Sequence, residues 1–165
     1  MNYARELKNM TWSFSRVHSY EQCPYEFYLN YLFRDENGNR IYEGEDNFYG
    51  AYGSFCHSLL EQILSHKISI DDAYIKYQEE YDDALSQFNV RETIIDKYFY
   101  LGLDYFGHLS FDWLKDYDLL GIEKRVNFKI DAYQFVGYID LLVREKKTGD
   151  IIVIDHKSSE YPLGK

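Results

Sequence analysis

The sequence predicts an α+β or α/β fold in which a helical N-terminal part packs on a small three-stranded meander. Three observations predict it. Apolar residues recur at helical spacing in three long segments before residue 108, the period changes to two after Asp118, and turn-forming residues separate the later apolar runs.

Taken in order, Ser15 can cap a helix starting at Arg16, and Pro24 suits the first turn of a second short helix carrying Phe27, Tyr28, Tyr31 and Leu32. Glycines and acids concentrate between Arg34 and Gly50, which reads as a loop or small hairpin. From Ala51 to about His66, Tyr52, Phe55, Cys56, Leu59, Leu60 and Ile63 form one apolar stripe. A helix from about Ile70 to Phe88 places Ala73, Tyr74, Tyr77, Tyr81, Ala84 and Leu85 on one face and leaves the Asp71 to Asp83 acids in solvent. Another from about Arg91 to His108 repeats the pattern. Gly121 to Ile130 then alternates apolar and polar residues, with Lys124 as the one exception. Tyr133 to Val143 and Asp150 to His156 are more uniformly apolar, as expected of strands covered on both faces, and Lys147-Thr148-Gly149-Asp150 supplies the turn between them.

Length and composition set the frame for function. At 165 residues one domain is expected, mainly helical over 1–118, with the sheet and the chemistry over 119–159 and a short tail over 160–165. A chain of this size buries on the order of 70% of its unfolded surface, so it needs neither disulfides nor a structural metal to fold. The 45% hydrophobic and 19% aromatic content excludes intrinsic disorder. No stretch approaches a membrane span, and the N-terminus carries charges where a signal peptide has an apolar core, so a cytoplasmic protein with no membrane partner is expected. The two cysteines, Cys23 and Cys56, make no CxxC pair and read as ordinary buried thiols. With 18 Lys plus Arg against 28 Asp plus Glu, the formal charge is −10. That balance argues against holding nucleic acid by bulk charge, but not against phosphate chemistry at a metal ion, where the cation supplies the positive charge.

The residues that point to such chemistry lie in the last two strands. Asp140 stands between Ile139 and Leu141, and Asp155 ends the run Ile151-Ile152-Val153-Ile154. A carboxylate among such neighbours loses hydration, which is tolerable only with a charge partner or a metal. Asp155 and Lys157 share a face and His156 takes the other. If the two strands pair through the turn near Gly149, two acids and an ammonium converge on one spot, as at a Mg²⁺ or Mn²⁺ site where a lysine orients or polarises a water. The pattern acid-x-Lys occurs three times, at Glu6, Glu145 and Asp155, so strand context is what singles out the third. A structural Asp155–Lys157 ion pair is the plainer alternative. His57 lies at the edge of its helix's apolar stripe, where a hydrogen-bonded boundary residue is commoner than a ligand. The 18 tyrosines mostly fall at core spacing and read as packing, although a base could stack on some of them.

Ser13-Phe14-Ser15-Arg16, Cys23-Pro24-Tyr25-Glu26-Phe27-Tyr28, Gly53-Ser54-Phe55-Cys56-His57, Gly137-Tyr138-Ile139-Asp140 and Ile154-Asp155-His156-Lys157-Ser158-Ser159 together resemble the PD-(D/E)XK nuclease superfamily, and within it the RecB-like exonucleases related to CRISPR-associated and AddB-type enzymes. The resemblance covers most of the chain, in matching order and spacing. It implies a restriction-endonuclease-like core with His57, Asp140, Asp155 and the backbone carbonyl of His156 as metal ligands. Asp140, Asp155 and Lys157 would be the catalytic set, and the cofactor Mg²⁺ or Mn²⁺. Glu123 resembles an acidic position seen before the Gly-x-x-Asp strand, although a solvated strand residue is the simpler reading there. Arg16 is a candidate DNA phosphate contact. The implied partner is single-stranded or end-opened DNA, with a protein partner in a repair, phage or CRISPR complex. No cysteine follows Lys157, so no four-cysteine iron–sulfur cluster forms within this chain, and the Gln-x-x-x-Tyr helix usual after the lysine motif does not follow either. Truncation after that motif is the expectation. The rival reading is a catalytically weak or inactive nuclease-like fragment that binds DNA or a protein.

Overall fold

The structure is a computed structural model, and it describes residues 3–42 and 47–157. The Ser158-Ser159 end of the lysine motif, the 160–165 tail and Gly44 of the acidic loop lie outside the described residues. Among the described residues the fold has six α-helices and a mixed four-stranded sheet. The chain divides into two compact units, Met1–Glu45 with Arg125–Tyr138, and Asp46–Lys124 with Ile139–Lys165.

In the first unit, α1 (Ala4–Asn9) leads into β1 (Thr11–Trp12), which pairs in parallel with Gln134 and Phe135. The expected helix at Arg16 is α2 (Phe14–Gln22), and its cap is Ser13, whose hydroxyl accepts from the Arg16 amide at 3.3 Å. Ser15 is therefore inside the helix, and the start moves two residues earlier. Pro24 opens α3 (Pro24–Phe27), continued by a π-helical turn over Tyr28–Leu32. Phe27, 1% exposed, is the centre of this unit, stacked on Trp12 and met edge-on by Tyr20. The expected hairpin is present as a bridge between Arg34 and Arg40 around a turn held by the Asp35 carboxylate.

The second unit is built on three helices, α4 (Phe48–Leu64), α5 (Ile70–Leu85) and α6 (Glu92–Gly107). Helix α4 begins three residues before the predicted start because Asn47 caps it, its side chain accepting from the Gly50 amide. It ends in a Schellman turn, with His66 in the left-handed region and Lys67 N–H bonded to the Gln62 carbonyl. Ser69 and Asp72 form a capping box at the head of α5. The core joins Tyr52, Cys56, Leu59 and Leu60 of α4 to Tyr77 and Tyr81 of α5 and Phe106 of α6. Tyrosine can be buried here because its hydroxyl finds a carbonyl: Tyr77 donates to Tyr98 and Phe99, and Tyr81 to Ile95.

The strands are β2 (Tyr117–Ile130), β3 (Tyr133–Glu145) and β4 (Ile151–Ile154). β3 is central, bonded to β2, to β1 near its start and to β4 near its end. The sheet is thus the predicted meander plus one short parallel strand. Leu141 and Val143 of β3 are fully buried against Leu64 of α4, with Ile152 and Ile154 beside them. Contrary to expectation, β4 is covered on one face only, because Ile151 and Val153 are 53% and 58% exposed. Among the described residues no helix is long and apolar enough to cross a membrane.

Candidate metal centre

Helix α4 carries Cys56, Leu59 and Leu60 into the core and leaves His57, one step round, at the boundary with its side chain 29% exposed. β3 delivers Asp140 just before the buried Leu141, with its side chain 12% exposed. β2 delivers Glu123 by a backbone irregularity. Its φ of +45° lies in the left-handed region, and the burial alternation of the strand breaks from Gly121 to Glu123. A bulge of this kind re-aims one side chain. Lys124, the residue that breaks the sequence alternation, immediately follows it.

Glu123 Oε1 lies 3.4 Å from His57 Nδ1, and Asp140 Oδ2 lies 3.9 Å from the same nitrogen. Among the described residues, His57, Glu123 and Asp140 form a group whose ligand atoms all lie within 4.8 Å of one another. The other ring nitrogen, Nε2, is 3.1 Å from the carbonyl oxygen of His156. That oxygen can only accept, so Nε2 is the donor in this contact, while Nδ1 faces two carboxylate oxygens that can likewise only accept. A positive charge has to sit between them, either a second ring proton or a metal cation. Separations of 3.4 and 3.9 Å exceed ordinary N–H···O bonds, yet suit two ligands each about 2.1 Å from one ion. The donor set, one imidazole and two carboxylates, fits Mg²⁺ or Mn²⁺.

The remaining predicted residues follow from the β3–β4 register. Leu141 pairs with Ile154, so one step further Asp155 would face Asp140. The ladder stops there, and Asp140 Oδ2 instead accepts from the His156 amide at 2.6 Å. Asp155 is outside the three-residue group. Its carboxylate is 2.6 Å from the Lys157 ammonium, both side chains being about half exposed, at 56% and 53%. The His156 ring stands edge-on to that of His57 with centroids 6.4 Å apart, and its buried Nε2 has no hydrogen-bond partner among the described residues. Burial pushes the His156 imidazole below its ordinary value. The charges of Asp140, Asp155 and Glu123 pull the other way, which puts all three within electrostatic range of this ring. Arg16 belongs to the first unit, where its guanidinium donates to the Thr11 carbonyl and lies over the Tyr31 ring.

A protein-family model described as the PD-(D/E)XK nuclease superfamily matches residues 11–164. The chain belongs to the PD-(D/E)XK nuclease superfamily. No curated protein and no solved structure matches it. Membership makes it a nuclease, a hydrolase from a superfamily that generally works with divalent metals, and the mixed helix-and-sheet architecture is consistent with a restriction-endonuclease-like fold.

Proposed function

We propose that residues 1–165 form one nuclease domain of the RecB-like branch, a Mg²⁺- or Mn²⁺-dependent deoxyribonuclease that acts as an exonuclease on single-stranded or end-opened DNA. One observation supports the metal-dependent chemistry above the others: one imidazole nitrogen and two carboxylate oxygens meet, His57 Nδ1 lying 3.4 Å from Glu123 Oε1 and 3.9 Å from Asp140 Oδ2. The helix-borne histidine in Gly53–His57, combined with Gly137–Asp140 and Ile154–Lys157, supports the branch.

His57, Asp140 and Glu123 would hold the ion. Asp155 stands next in register, and the His156 carbonyl keeps one lone pair free beside its bond to His57. A divalent cation at such a site neutralises phosphate charge and makes water more acidic. The chain's own groups do the rest. The Asp140 carboxylate, anchored by the His156 amide, fixes the start of the lysine motif against β3. Asp155 orients the Lys157 ammonium, which polarises the attacking water or stabilises charge on the phosphoryl oxygens. Lys157→Ala should lower Mn²⁺-dependent degradation of single-stranded DNA by about 10²–10³-fold with an unchanged melting temperature. Undiminished degradation would overturn the assignment.

A second reading, a noncatalytic module that binds DNA or a protein, is favoured by one observation: the Asp155–Lys157 pair is closed on itself at 2.6 Å. Wild-type protein that binds single-stranded DNA but cleaves none with either cation would establish it.

A further inference from the structure

Four of the chain's seven arginines, Arg16, Arg34, Arg40 and Arg125, line one pocket of about 690 Å³ in the first unit. The chain as a whole has a formal charge of −10, so this concentration of cations runs against its average. Arg34 and Arg40 also sit opposite each other across the antiparallel bridge. Like charges placed this way destabilise a strand pair unless an anion joins them.

The protein leaves these cations short of counter-charge. Among the described residues, none of the four has a carboxylate within ion-pair distance. Glu6 and Asp35 also border the pocket, but Asp35 is committed to its own turn, accepting from the Asn37 and Asn39 amides and the Asn39 side chain. The partners that orient the guanidinium groups are neutral. Arg34 donates to the carbonyls of Tyr31 and Phe33 at 2.8 and 3.0 Å, and Arg16 to that of Thr11. The Tyr31 ring lies 5.3 Å from the Arg16 guanidinium and 5.9 Å from that of Arg40. Carbonyls and a ring face hold a guanidinium in place without cancelling its charge. Arg40 and Arg125 are exposed and make no side-chain hydrogen bond among the described residues, so both can close on a ligand.

We infer that this pocket binds a phosphomonoester, the terminal phosphate of a nucleic-acid strand. The strand rests on the nuclease reading above, and the phosphate rests on the pocket. Four guanidinium charges around one pocket, two of them with no internal hydrogen bond among the described residues, match a group with three acceptor oxygens and a charge of about −1.5 to −2 better than a diester with a single charge.

The test is fluorescence anisotropy on the full chain in EDTA, with short single-stranded oligonucleotides bearing a 5′-phosphate, a 3′-phosphate or neither. One phosphorylated form should bind about tenfold more tightly than the unphosphorylated strand. The preference should shrink from pH 7 to pH 5 as the monoester, with its second pKa of about 6, takes up a proton. The double variant Arg40→Gln/Arg125→Gln, which sacrifices no internal hydrogen bond, should erase the preference. Equal binding of all three strands by the wild type, or an undiminished preference in the double variant, would overturn the inference. Thymidine 5′-monophosphate competing as well as the strand would overturn the strand-end assignment in favour of a free nucleotide. Mn²⁺-dependent hydrolysis of bis(p-nitrophenyl) phosphate reads the metal centre separately and should be unchanged in the double variant. Wild-type protein that prefers phosphorylated ends but hydrolyses nothing would remove the nuclease reading and leave the pocket standing.

Discussion

At the residue scale, His57 meets acceptor oxygens at both of its ring nitrogens. The His156 carbonyl accepts at Nε2, and the carboxylates of Glu123 and Asp140 face Nδ1. Binding and turnover should therefore separate by residue. Glu123→Gln should weaken Mn²⁺ binding at least by the roughly tenfold that loss of even an outer partner of a metal site costs, while Lys157→Ala leaves binding unchanged. Calorimetric titration of both variants checks this. Equal affinities for wild type and Glu123→Gln would remove Glu123 from the site. The two thiols should also separate. Burial pushes the Cys56 thiol up to about 11, whereas Cys23 is partly exposed, so at neutral pH a thiol reagent should modify Cys23 and reach Cys56 only on unfolding. Glu123 also shows where the sequence falls short. Strict alternation assigns it to solvent, and the trace of its bulge is the misplaced Lys124. A left-handed residue inside a strand has no period of its own to read.

At the element scale, legibility follows length. Helices α4, α5 and α6 each repeat an apolar stripe over four turns or so, and their spacing was enough to place them. β1 has two residues and α1 buries none, so neither carries a period. The one-sided covering of β4 was illegible because alternating exposed and packed isoleucine and valine look alike in sequence. Packing within these elements makes its own prediction. A Cβ on Gly102 of α6 would overlap the ring end and hydroxyl of buried Tyr77, whereas one on Gly50 of α4 would meet only Asn47 at 3.6 Å. Gly102→Ala should therefore cost about 1–3 kcal/mol in urea unfolding despite the better helix propensity of alanine, and Gly50→Ala should not be destabilising. Equal stabilities would contradict the packing. Ser69→Ala, which removes the cap of α5, should cost about 1 kcal/mol in the same assay.

At the scale of the whole molecule, the core of the second unit is rich in groups that resist ionisation. Burial pushes Tyr52, Tyr77 and Tyr81 above the ordinary phenol value of 10.0 and Cys56 from 9.0 to about 11. Above pH 9 the unfolded chain gives up protons that the native protein retains, so stability falls as pH rises. The melting temperature should drop steadily above pH 9, and Tyr52→Phe should flatten that decline; a flat profile to pH 11 would contradict the burial. The larger design is legible because β3 and β4 are consecutive and joined by the Gly149 turn, which keeps Asp140 and the lysine motif together. The arginine pocket was not legible, because its four members come from three separate places in the chain, α2, the Arg34–Arg40 hairpin and β2, and only Arg16 stood in a motif.

Calorimetric titration of the wild type and of Asp140→Asn with Mn²⁺ tests the metal centre most directly. The wild type should bind one ion at a saturable site, and Asp140→Asn should bind none under the same conditions while melting as a folded protein. Absence of binding by the wild type, or undiminished binding by Asp140→Asn, would contradict the account.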